Sequence, residues 1–129
     1  MARPPNFHPT DGELELLQIL WQSGPAGLGQ ICTTLRLHRP IATTTVATML
    51  TVMLDKGIVH RRRGPRGYLW SAKTTRQGAA AGMIRKLVDF VFDGSAQRLV
   101  AHLLESGELD DEQRRELRRM IGEGNRQHK

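Results

Sequence analysis

Cysteine is almost missing from this chain of 129 residues, and the single thiol, Cys32, excludes an intramolecular disulfide. Long apolar runs are missing too. The richest stretches, around Leu14 to Trp21 and Leu87 to Phe92, fall far below the roughly 20 residues that a membrane span requires. With no segment that reads as a signal peptide, these features predict a cytoplasmic protein in a reducing compartment, with no membrane insertion. The length leaves room for one ordinary domain or two very small ones, which excludes a catalytic barrel or a doubly wound nucleotide fold.

Catalytic and metal signatures are also lacking. His8, His38, His60, His102 and His128 show no paired metal-ligand spacing, and the chain has neither a Gly-rich phosphate loop nor a G-x-S-x-G turn. Cys32 falls among Ile31 and Leu35 on a predicted helix, where a packed thiol is expected rather than a nucleophile. Asp11, Glu13 and Glu15 sit in the first turns of another helix, where capping and the helix dipole account for them. The reading is of a protein that is not an enzyme and carries no cofactor or metal.

What the chain has is positive charge, unevenly spread. Against 13 Asp+Glu stand 19 Lys+Arg, for a net +6. Residues 1–73 carry +5 of it and residues 74–129 only +1. A basic protein of this size has polyanions as natural partners, nucleic acid first, and the uneven split places the binding surface in the first part.

The opening residues, Met1 to Pro9, read as a flexible arm. Thr10 followed by Glu13 is a capping box, and Leu14, Leu17, Leu20 and Trp21 continue at helical spacing until Ser23-Gly24-Pro25. A second helix is expected over Leu28 to Leu37, with Leu28, Ile31 and Leu35 inward, broken by His38-Arg39-Pro40. The third runs from Ala42 to Lys56 and stops at Gly57; Val46, Met49, Leu50, Met53 and Leu54 form its buried stripe. Its other face is lined by threonines, which are poor helix formers, so local stability does not explain them.

Two short segments, Ile58 to Arg63 and Tyr68 to Ala72, flank Gly64-Pro65-Arg66-Gly67 and predict a hairpin with Arg61 and Arg63 on one side. The fold class is therefore mainly α with a small β-hairpin, a winged helix-turn-helix over residues 10–73. Residues 74–129 are read as a three-helix dimerisation region. Leu87, Phe90 and Val91 form a first apolar stripe, Leu99, Val100, Leu103 and Leu104 a second, and Leu117 and Ile121 a third. Three short helices bury too thin a core alone, so these residues are expected to pack against a second copy in a homodimer.

The strongest functional signal is the basic run from Lys56 to Arg66. Lys56, Arg61, Arg62, Arg63 and Arg66 occur there without one acid, a pattern that suits a phosphate backbone. Thr43, Thr44, Thr45 and Thr48 open the third helix, and their hydroxyls and methyls suit phosphates or base edges in a major groove. Two other readings use the same elements: a protein-interaction adaptor docking its winged helix on a protein, and a regulator sensing a ligand between hairpin and tail.

Thr44-Thr45-Val46-Ala47-Thr48-Met49-Leu50, then Lys56-Gly57-Ile58-Val59, then Arg61 to Arg63 with Tyr68 to Ala72, resemble the TTVxTxL, KGxV and wing motifs of the BlaI/MecI family of penicillinase repressors. Glu13 to Leu17 with Leu20-Trp21 is similar to that family's first helix, and the resemblance covers Thr10 to Ile121. It implies a transcriptional repressor that binds a pseudo-palindromic operator in double-stranded DNA as a homodimer. It also implies release when a membrane-embedded sensor protease triggers cleavage. Val52 stands where relatives often carry Arg, His102-Leu103 aligns with the cleaved Asn-Phe pair, and Gly122 to Lys129 lacks the paired cysteines of the copper-responsive branch.

Overall fold

Thr10 caps the first helix. In the computed structural model, which describes residues 9–127 and side chains through residue 123, the Thr10 hydroxyl accepts the Glu13 N–H at 3.1 Å. In return the Glu13 carboxylate accepts the Thr10 N–H at 2.9 Å. This reciprocal box begins α1 (Asp11–Ser23), whose Leu16, Leu17, Ile19 and Leu20 point inward. Of the expected arm, Met1 to Pro9, residues 1–8 lie outside the described residues.

Helix α2 (Leu28–Arg36) buries Ile31, Cys32 and Leu35. Helix α3 (Thr43–Lys56) buries Val46, Leu50 and Met53, spaced at i, i+4 and i+7 so that all three face the same side. Gly57 ends α3 at φ +78°, a left-handed conformation that costs glycine little. The three helices share one apolar core with Ile58, just after α3, and with Val59 and Trp70 from the strands that follow.

Strands β2 (Val59–Gly64) and β3 (Gly67–Ala72) form the expected hairpin, with Pro65-Arg66 at its tip. A third strand, β1 (Ala26–Gly27), pairs antiparallel with β3 through Ala26–Trp70 and Gly27–Leu69. The sheet order is therefore β1-β3-β2. Two residues are too few to show alternation, so only the partner strand creates β1. Three helices, the last followed by a two-stranded wing, make this a winged helix-turn-helix.

The first compact unit runs to Ile84, beyond the sequence-based boundary at residue 73. Buried Thr74 and Ala79 explain the extension: the Trp21 indole N–H donates to the Thr74 carbonyl at 2.8 Å, and Ala79 in the second turn of α4 (Arg76–Val91) is almost fully covered.

The second unit begins at Arg85 and holds the rest of α4, then α5 (Ala96–Glu105) and α6 (Asp111–Gln127). Asp93 and Gly94, both at positive φ, turn the chain, and the Ser95 hydroxyl caps α5 by accepting the Arg98 N–H. Asp110 and Gln113 cap α6 reciprocally, and Arg119 bridges Glu116 and Glu123 on its surface. Among the described residues of this unit none is buried. Phe90 is 79% and Val91 63% exposed, so the first apolar stripe is uncovered within one chain, while Leu99, Val100, Leu104 and Leu117 of the other two are half-buried.

Candidate nucleic-acid interface

Helix α3 presents two faces. Turning 100° per residue, it sets Thr44, Thr48 and Thr51 on the ridge opposite Val46 and Leu50, with Ala47 on one flank and Thr45 and Val52 on the other. Thr43, Thr44, Thr45 and Thr48 are all exposed, as the sequence pattern predicts. Their hydroxyls are not equally free. Thr48 donates to the Thr44 carbonyl at 2.9 Å and Thr51 to the Ala47 carbonyl at 3.0 Å, while the Thr43 oxygen accepts from the Arg36 guanidinium at 2.7 Å.

The wing is built by alternation. Arg61 pairs with Trp70 and Arg63 with Tyr68, so these four share one face of the hairpin, while Arg62, opposite Leu69, lies on the other. The Arg61 guanidinium carbon is 4.1 Å from the Tyr68 ring centroid and 5.6 Å from that of Trp70; Arg63 approaches the same Tyr68 ring at 5.8 Å. Stacking on rings restrains these guanidinium groups before any partner arrives.

Wing and helix meet across one concavity. A groove of about 820 Å³ is lined by Ala47 and Thr51 of α3, by Gly27, Leu28, Gly29 and Gln30 where α2 begins, and by Arg61 and Gly64 to Trp70 of the wing. Arg61 and Arg66 thus share a surface with the threonine face.

Lys56 does not join them. Both Glu13 carboxylate oxygens hold its Nζ at 2.9 Å, which ties it to α1 instead of leaving it with the wing arginines. This pair links residues 43 positions apart, so no local pattern predicts it.

Sequence reasoning set Thr51 on the threonine face, seven positions after Thr44, without counting it among the DNA contacts, and it passed over two further residues of this surface. Tyr68 matters through its stacking on Arg61, and the alternation of the hairpin carries that signal. Arg36, which also donates to the Ile41 carbonyl at 3.0 Å, braces the entry to α3, and no sequence signal marks it.

The sequence profile described as penicillinase repressor matches residues 9–123. The chain belongs to the penicillinase repressor family. The matched span reaches from just before the α1 cap into α6, so it takes in both compact units. The chain is 20% identical to the methicillin resistance regulatory protein MecI of Mammaliicoccus sciuri over 112 residues, covering 87% of this chain and 91% of that protein. It is 19% identical to the penicillinase repressor of Bacillus licheniformis over 114 residues, 88% of this chain and 89% of that one. The relatives found are thus named as regulators or repressors, not as enzymes. A cysteine-to-serine mutant of MarR from E. coli shares the fold, with a TM-score of 0.50 at 19% identity over 88% of this chain and 76% of that chain. Among the described residues, no helix is long and apolar enough to cross a membrane.

Proposed function

We propose that this member of the family represses transcription as a homodimer on a pseudo-palindromic operator, each first unit occupying one half-site. In this reading α3 enters the major groove, with Thr44, Ala47, Thr48 and Thr51 facing the bases and Thr43 and Thr45 near the backbone. The wing follows the adjacent phosphates with Arg61, Arg63 and Arg66. One observation carries the reading: the groove that joins Ala47 and Thr51 to Arg61 and Arg66 makes helix and wing a single cationic, concave surface. Arginines clustered without acids repel one another in isolation, and a row of phosphates relieves that repulsion.

The dimer rests on the second unit. Phe90, Val91 and Ile121 leave large apolar areas in water, and a second copy offering the same stripes covers them. Residues 74–129 therefore supply dimerisation, with the first turns of α4 joined to the DNA-binding unit.

Binding to DNA from upstream of the protein's own reading frame, measured against unrelated competitor DNA, tests the reading. Retention of that DNA under excess competitor is the expected result. Equal competition by both DNAs contradicts sequence-specific repression.

A further inference from the structure

Resting on that reading, the face of α3 specifies which chemistry in the major groove it can recognise. From Thr43 to Leu54 the helix carries only threonine, valine, alanine, methionine and leucine. Over these three turns it has no arginine or lysine to grip guanine through two acceptors, and no asparagine or glutamine to pair with adenine. Asp55 and Lys56 are the first charged residues, in the last turn, and Lys56 is held by Glu13. Hydrogen-bonding readers of the usual kind are therefore missing where a recognition helix places them.

The threonines do not replace them fully. The Thr48 and Thr51 hydroxyls donate to the carbonyls of Thr44 and Ala47, so each side chain has turned its only donor back to its own helix. With those donors engaged the two hydroxyls can only accept, and beside them exposed Thr48 and Thr51 and half-exposed Ala47 each carry a methyl group on this face. In the major groove one base alone offers a methyl to match, thymine at C5.

We propose that this repressor reads its half-site chiefly through contacts between the methyls of Ala47, Thr48 and Thr51 and the C5 methyls of thymines. The arginines of the wing supply affinity and the methyl patch supplies the choice of sequence.

The experiment begins with a duplex selected from a random pool by the full-length protein. Thymines in the selected half-site are then replaced one at a time by deoxyuridine, which keeps every hydrogen-bonding group and removes only the methyl. At one or more positions affinity should drop about fourfold per half-site, the worth of one buried methyl group. Thr48→Ser or Thr51→Ser, which removes a protein methyl and keeps the hydroxyl, should abolish discrimination between thymine and uracil at one such position. Thr48→Val, with methyls and no hydroxyl, should retain it.

Uracil tolerated at every position overturns the inference while leaving the DNA-binding reading intact. So does discrimination lost in Thr48→Val and retained in both serine variants, because the hydroxyl would then be the reader. A pool from which no duplex is enriched overturns the DNA-binding reading itself.

Discussion

The Nζ of Lys56 lies 2.9 Å from both carboxylate oxygens of Glu13, joining the last turn of α3 to the first turn of α1. The Glu13 side chain is 6% exposed and that of Lys56 44%, so the pair is half-screened by solvent. Glu13 also closes the α1 capping box with Thr10, which makes it the acceptor for two elements at once. The orientation of α3 against the core is partly fixed here.

Removing Lys56 therefore acts on stability. Lys56→Ala should lower the unfolding free energy by about 1–2 kcal/mol, less than for a fully buried pair, because water already screens the ammonium. Urea denaturation measures it. If Lys56→Ala instead left stability unchanged and reduced the salt dependence of DNA binding, Lys56 would be a phosphate contact after all.

Arg61 and Arg62 are adjacent, yet they should behave differently. Arg61 stacks on Tyr68 and lines the groove, whereas Arg62 lies on the opposite face of the hairpin. Arg61→Ala should weaken operator binding by about 1.5–3 kcal/mol, the range for hydrogen bonds to charged groups, with Arg62→Ala clearly milder in a mobility-shift titration. Equal losses would mean that both sides of the wing touch DNA.

Much of this geometry was legible in the sequence, for local reasons. Thr10 and Glu13 are three residues apart, Val46, Leu50 and Met53 follow helical spacing, and Gly57 follows the last helical residue, so each feature is set by near neighbours. Strand β1 was not legible, because Ala26 and Gly27 become a strand only by pairing with Trp70 and Leu69. The same holds for Lys56: its charge suggested a phosphate contact, and a carboxylate 43 residues away claimed it. The compact units meet at Ile84 and Arg85, inside α4, whereas the sequence reading divides the chain after residue 73, where the composition changes; a helix that runs from one unit into the next leaves no break in the sequence to mark the join.

The second unit yields a prediction about assembly. Phe90, 79% exposed in the single chain, belongs to the stripe proposed to meet a second copy. Phe90→Glu should place an unpaired charge in that interface and shift the protein toward monomer in sedimentation. An unchanged dimer would put the interface elsewhere.

The central claim is that α3 and the arginine wing act as one DNA-binding surface, and the salt dependence of operator affinity tests it most directly. With Arg61, Arg63 and Arg66 of both protomers on phosphates, log affinity should fall with log salt at a slope of about −5. Arg66→Ala should reduce the magnitude of that slope by about 2, one phosphate per protomer. A slope that stays the same in Arg66→Ala would contradict the account, because the wing would then lie off the DNA.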